Sequence, residues 1–102
     1  MSKQDVQIAI SNYIKDNYQG LDVKGKELPE TITNVLTTIQ DNDYIGAGTY
    51  RVVFDIYGTM ICNNVDRMEN IHYVATCNVK VTSNLDGVPI PELNEALFID
   101  KV

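Results

Sequence analysis

The side chains that could act as a nucleophile or a general base in this chain are few. His72 is the only histidine, and the two thiols are Cys62 and Cys77. A nucleophilic cysteine or serine needs a base within hydrogen-bonding reach. Cys77 follows His72 by five residues, which points the two side chains to different sides of a helix and to opposite faces of a strand. The sequence therefore predicts no catalytic residues and no enzymatic activity.

Potential metal ligands are equally sparse. A structural zinc needs about four cysteine or histidine ligands, and the two cysteines and one histidine supply three. Asp41, Asp43 and Gly46 resemble the start of a calcium-binding loop. Ile45 and Val52, however, occupy two positions of that loop that must supply ligands. We predict neither a metal site nor a cofactor.

The cysteines are predicted to be reduced thiols. The N-terminus from Met1 to Asp5 lacks the apolar segment of a secretory signal. The apolar runs are also far shorter than the ~20 residues of a membrane helix. A chain with these properties is expected inside a cell, where disulfides are rare. The sequence alone does not show whether Cys62 and Cys77 lie close together.

Length and charge restrict the class of protein further. The 102 residues suit one domain, 1–102, and the formal net charge is −6 from 14 acidic and 8 basic residues. The basic residues are scattered along the chain, whereas nucleic-acid binding depends on clustered lysine and arginine. The composition therefore speaks against specific DNA binding, and nothing in it indicates a membrane partner.

The first element is predicted to be a helix over residues 3–19. Ser2 suits the N-cap position, and Gly20 suits the residue after the last turn. Apolar residues recur at the spacing of one helix face: Val6, Ala9, Ile10, Tyr13 and Ile14. A short strand is a weaker expectation for Leu21 to Val23.

The middle of the chain is predicted to form a long antiparallel hairpin. Residues 49–62 alternate between an apolar face and a mixed face, which is typical of a sheet covered on one side. Gly58 is expected to mark a bulge or bend. Residues 30–40 fit helical spacing, but their many threonines and isoleucines favour a strand. A polar loop over residues 41–49, with glycines at positive φ, would connect the two strands.

Residues 66–85 are compatible with both periodicities, and the alternation over 71–82 also fits a strand. Their length favours a helix, because typical strands are shorter. Residues 88–93 are expected to be extended or a turn, and 96–101 a short strand. The predicted fold is α+β, with an N-terminal helix, an antiparallel sheet with a long hairpin, a second helix packed on one face, and a short C-terminal strand.

The most unusual feature of the composition is six tyrosines without a tryptophan. Tyr44 and Ile45 fall in the predicted hairpin loop, where a freely solvated segment does not need large apolar side chains. Tyrosine is enriched at protein interfaces. We predict an interaction surface that contains Asp43, Tyr44, Ile45 and Tyr57.

The order of elements resembles that of the tail-terminator and head–tail joining (neck) proteins of tailed bacteriophages. The resemblance lies in the opening helix and in the hairpin strand Tyr50-Arg-Val-Val-Phe-Asp-Ile-Tyr-Gly58. It continues in Asp66-Arg-Met-Glu-Asn-Ile, which leads into the predicted second helix. Together these segments cover residues 3–85. The resemblance departs at the C-terminus, where such proteins often carry further strands.

This resemblance implies a structural component of a virion that is assembled in the host cytoplasm. Several copies would form a homo-oligomeric ring in contact with other tail or neck proteins. DNA would at most pass through an acidic lumen without specific binding. The alternative expectation is a small cytosolic adaptor domain, without catalytic activity, that binds another protein through its sheet edge.

Overall fold

The computed structural model describes residues 2–19, 32–62, 67–94 and 97–102, with the backbone alone at 61, 62, 67 and 68. One helix and five strands follow one another along these residues. The elements are α1 (Lys3–Tyr18), β1 (Ile32–Gly46), β2 (Thr49–Cys62), β3 (Arg67–Ser83), β4 (Pro89–Leu93) and β5 (Phe98–Lys101). The weakly expected strand at 21–23 lies outside the described residues.

Helix α1 begins and ends close to the positions predicted from the sequence. The Ser2 hydroxyl accepts a hydrogen bond from the Asp5 amide at 3.1 Å, so it satisfies a donor that the first turn leaves unpaired. Every fourth residue is buried: Val6, Ile10, Ile14 and Tyr18. This apolar stripe packs on the sheet, and the helix crosses from β1 to β4. α1 is too short and too polar to cross a bilayer.

All strands belong to one antiparallel sheet with β3 near its centre. β1 pairs with β2, and β2 pairs with β3 from Arg67 to Lys80. The other edge of β3 is shared by two short strands, β5 along Tyr73–Thr76 and β4 along Val79–Ser83. Two prolines in β4 fit this position, because an edge strand tolerates a missing backbone donor.

The predicted second helix is wrong, and so is the two-helix fold class. Residues 67–83 form β3, so the described part of the chain is mostly antiparallel sheet with one helix. The length argument failed because β2 offers a partner of matching length. Fourteen consecutive residues of β3, from Arg67 to Lys80, pair with β2 without a register shift. Pairing with a distant segment outweighed a local preference that was ambiguous.

The long polar loop predicted for 41–49 is also wrong. β1 continues to Gly46, and the turn consists of Ala47 and Gly48. The glycines do adopt the predicted positive φ, +99° at Gly46 and +73° at Gly48. Cross-strand pairs hold the polar stretch in the ladder, since Asp43 lies opposite Arg51 at an ion-pair distance of 3.9 Å.

The other expectations for the sheet agree with the structure. Residues 32–40 are strand, and the apolar face of β2 is buried under α1 through Val52, Phe54 and Ile56, each 0% exposed. The register of β1 shifts between Thr33 and Leu36, opposite Gly58, so a bulge does lie beside this glycine. The β4 and β5 segments also fall where extended structure was expected.

The pairing register separates the two cysteines. Cys77 lies opposite Val52, while Cys62 lies ten residues further along β2. At about 3.3 Å per residue, this separation is roughly 33 Å. A disulfide requires Cα atoms within about 7 Å, so the two positions cannot be bridged within one chain. Cys77 itself is buried on the face that α1 covers.

Candidate interaction surface

The second face of the sheet is uncovered by the described residues. Their one helix, α1, lies on the face that carries Val52, Phe54 and Ile56, and their strands all belong to the sheet itself. The opposite face, here called the open face, carries the alternate residues of the strands. Among them are Asp55 of β2 and His72 of β3.

Five apolar side chains lie on the open face. Leu36, Tyr57 and Phe98 are exposed to 53%, 41% and 68%. Val53 and Val74 are half-buried between them. The register places Leu36 opposite Tyr57 and puts Val53 and Phe98 on either side of Thr76. These five residues, the apolar patch, extend across four strands.

A buried carboxylate lies within this patch. Asp55 is 6% exposed. Its Oδ1 atom accepts a hydrogen bond from Nε2 of Gln40 at 2.7 Å and lies 2.7 Å from Nε2 of His72. The imidazole ring of His72 in turn stacks on Tyr57, with ring centroids 4.3 Å apart and an interplanar angle of 16°. One aspartate therefore orients side chains from three strands.

The hydrogen bond from Gln40 is the largest cause that lowers the pKa of Asp55 below its ordinary value, and the hydrogen bond with His72 is the second. Burial acts in the opposite direction and is outweighed. Asp55 is therefore ionised at neutral pH, and its charge is directed at groups of its own chain. The open face can lose water without leaving this carboxylate unpaired, which would be costly.

Sequence reasoning missed this cluster. Asp55 lies between Phe54 and Ile56 at the centre of β2, and this position could have indicated the cluster, because a buried charge requires partners. In serine hydrolases a carboxylate binds Nδ1 of the imidazole and leaves Nε2 for the nucleophile, whereas Asp55 binds Nε2 of His72. Cys77 lies on the opposite, helix-covered face of the sheet from His72, so the structure does not bring the two together. Among the residues with described side chains, no group of three histidine, cysteine or acidic residues is placed to hold a metal.

A hollow of about 410 Å³ lies beside the apolar patch. It forms where β1 bulges at Asn34, a residue with φ of +54°. This space is here called the hollow, and the residues that line it are Asn34, Leu36, Tyr57, Gly58, Thr59, Asn70 and Ile71. None of these residues carries a charge, so the hollow is neutral in a chain of net charge −6.

The far end of the same hairpin projects apolar side chains. Tyr44 and Ile45, here called the tip, are exposed to 61% and 51%. The Tyr44 ring contacts that of Tyr50, with centroids 5.1 Å apart, and its hydroxyl accepts a hydrogen bond from the Gly48 amide at 3.3 Å. These contacts fix the orientation of Tyr44 although most of its surface is exposed.

The structure divides the predicted interface residues between two places. Asp43, Tyr44 and Ile45 lie at the tip, whereas Tyr57 lies on the open face beside the hollow. Tyr57 is seven residues along β2 from Tyr50, the partner of Tyr44, which corresponds to about 23 Å. One continuous surface containing all four residues is therefore not formed within one chain.

A second cavity, of about 550 Å³, separates the N-terminus of α1 from the tip. Its wall includes Lys3, Asn42, Asp43 and Tyr50. The Oδ1 atom of Asn42 is buried there, and none of the described residues forms a hydrogen bond with it. The mixed charges of this wall contrast with the neutral hollow at the other end of the hairpin.

The patch, the hollow and the tip present apolar and aromatic surface, a chemistry suited to association with a protein. The carboxylate of Asp55 within the patch is already hydrogen-bonded by its own chain. Comparisons with protein-family models, with characterised proteins and with solved structures each gave no match.

Proposed function

We propose that this chain is a structural subunit of a homo-oligomeric assembly, a ring at the neck or the tail end of a bacteriophage virion. The observation that carries the proposal is the apolar patch on the open face. Leu36, Tyr57 and Phe98 are 53%, 41% and 68% exposed. Large apolar side chains exposed on one uncovered face are typical of sites that become buried on association.

The energy available from this patch is substantial. Full burial of a large apolar side chain is worth about 1.5–3 kcal/mol. Three side chains that are each roughly half exposed therefore offer a few kcal/mol per copy. The hydrogen bonds to Asp55 lower the cost of drying the surface, because the carboxylate already has partners within its own chain.

The virion part of the proposal depends on the resemblance to neck and tail-terminator proteins. Two of the elements behind that resemblance, α1 and the β1–β2 hairpin, are present. The second helix of the resemblance is replaced by β3. The acidic composition suits a ring through which DNA passes without binding, since like charges repel.

The alternative, an adaptor that receives a partner strand at its sheet edge, has less support. β1 is the long edge strand, and its register against β2 shifts at three places. Such bulges interrupt the row of backbone donors and acceptors that an added strand would need. Association through the open face and the hairpin ends is favoured over strand addition.

Light scattering and electron microscopy of the purified chain test the proposal. We expect oligomers whose population rises with protein concentration and with salt, because salt screens repulsion between copies of charge −6. The variant Phe98→Ser should shift the population toward monomers. Leu85→Ser is the matched control, since Leu85 is fully exposed and lies outside the patch. A chain that stays monomeric at every protein and salt concentration would contradict the proposal.

A further inference from the structure

The β1–β2 hairpin carries an apolar projection at one end and a neutral hollow toward the other. The projection is the tip, Tyr44 and Ile45, and the hollow opens beside Leu36 and Tyr57. Building on the proposed function, we infer that copies join head to tail, with the tip of one copy inserted in the hollow of the next.

The tip is ordered before it binds a partner. Tyr44 rests against the Tyr50 ring and accepts a hydrogen bond from the Gly48 amide, so its side chain is held before any partner arrives. Binding then costs less conformational entropy than it would if the side chain were free to rotate. A rigid aromatic residue beside an aliphatic one also resembles the residues that dominate the energy of protein interfaces.

The hollow matches the tip in size and polarity. Its volume of about 410 Å³ lies within the ~300–1,000 Å³ range of sites that enclose small ligands. Leu36 and Tyr57 supply apolar wall for the two tip residues. Asn34, Thr59 and Asn70 supply amides and a hydroxyl that can hydrogen-bond with the phenol of Tyr44.

Charge does not oppose this pairing. The tip is flanked by Asp43, whose charge is paired at 3.9 Å with that of Arg51 on the exposed surface. The side chains of the hollow are uncharged, so the tip can approach this site without facing a like charge.

The positions of the two features require a second copy. Ile45 is nine residues along β1 from Leu36, about 30 Å at the rise of a strand. A chain cannot fill its own hollow with its own tip without breaking the β1–β2 ladder. A contact between two different surfaces is heterologous, and repetition closes it into a ring or extends it into a filament. Every copy in a closed ring then uses both features.

Mixing two complementary variants tests this inference. The tip variant is Tyr44→Ser with Ile45→Ser, and the hollow variant is Leu36→Glu. Each variant alone should be monomeric, with self-association weakened on the order of 100-fold. A 1:1 mixture should form a heterodimer and nothing larger. The intact tip of the hollow variant fits the intact hollow of the tip variant, and the outer ends of that pair are both blocked.

Folding and specificity have separate controls. Leu36, Tyr44 and Ile45 are all more than half exposed, so each variant should unfold cooperatively and close to the parent chain, with a small loss in the tip variant from its missing Tyr44–Tyr50 contact. Thr59→Arg provides a second hollow variant in case Leu36→Glu does not fold. Leu85→Ser should oligomerise like the parent.

The outcomes separate the two proposals. If both variants still form oligomers, or if their mixture stays monomeric, the head-to-tail contact is wrong. Neither of these two results contradicts the proposal that the parent chain forms a homo-oligomer. A parent chain that never exceeds a monomer overturns both proposals. A heterodimer in the mixture supports the contact.

Discussion

The Oδ1 atom of Asp55 lies 2.7 Å from Nε2 of His72, and this bond joins the two central strands on the open face. The carboxylate is buried, whereas about a third of the histidine side chain is exposed. The imidazole ring of His72 stacks on Tyr57, so the orientation of the imidazole also fixes that of the tyrosine ring. A buried charge thus determines how an exposed aromatic ring is presented to a partner.

Replacement of this carboxylate should destabilise the fold. We expect Asp55→Asn to lower the free energy of unfolding by about 1–3 kcal/mol at pH 7, because the hydrogen bonds from Gln40 and His72 lose their charged acceptor. Urea denaturation followed by circular dichroism measures this difference. Asp100→Asn is the matched control, since Asp100 is exposed and lies on the same face opposite Val74. Equal stability of the two variants would contradict the role of Asp55.

The same pair of variants should differ in their response to acid. The pKa of Asp55 is lower in the folded chain than in the unfolded one. Its stabilisation is therefore fully present above the unfolded value, near 3.9, and is lost as the pH falls through the folded value. The stability advantage of the parent over Asp55→Asn should shrink below about pH 4. Unfolding midpoints of both proteins between pH 7 and pH 2.5 test this prediction. A stability difference between the parent and Asp55→Asn that increased as the pH fell would contradict it.

The two phenylalanines should have opposite roles. Phe54 is 0% exposed and Phe98 is 68% exposed. We expect Phe54→Ala to cost about 3–5 kcal/mol of unfolding free energy, since it leaves a cavity under α1. Phe98→Ala should cost less than about 1 kcal/mol but weaken self-association. Thermal unfolding and light scattering on both variants separate these effects, and a large loss of stability at Phe98 would be inconsistent with its assignment to the interface.

Gly58 should tolerate no side chain. A Cβ at this position would overlap Cγ2 of Ile32, whose side chain is fully buried and cannot move aside. We expect Gly58→Ala to cost about 1–3 kcal/mol through overpacking. The loss should be smaller in an Ile32→Leu background, because leucine has no methyl group at that place. A double-mutant cycle measures the coupling, and strictly additive losses would exclude this steric cause.

The thiol of Cys77 should react only when the sheet opens. It is 2% exposed, on the face covered by α1. In a Cys62→Ser background, labelling by a thiol reagent should be slow in the native state and fast in urea. The native rate should increase in Phe54→Ala, which destabilises the same layer. Rapid labelling of the stable native chain would mean that this face is more accessible than the packing indicates.

Much of the local structure could be predicted from the sequence. The stripe of Val6, Ile10 and Ile14 predicted α1, and strict alternation predicted β2 and its buried face. The glycines at Gly46 and Gly48 located the hairpin turn. These signals are local: each depends on residues within a few positions of one another, where helix and strand periodicities differ clearly.

Only the tertiary structure decided residues 67–83 and the site. Their pattern fits a helix and a strand equally well, and the choice was made by the long ladder with β2. The Asp55 cluster likewise joins Gln40, Asp55 and His72 from three strands that the sequence separates by 15 and 17 residues. Pairing between distant segments selects the register, and the register decides which side chains meet. Periodicity indicates which face of a strand is buried, but it does not say which distant segment pairs with that strand.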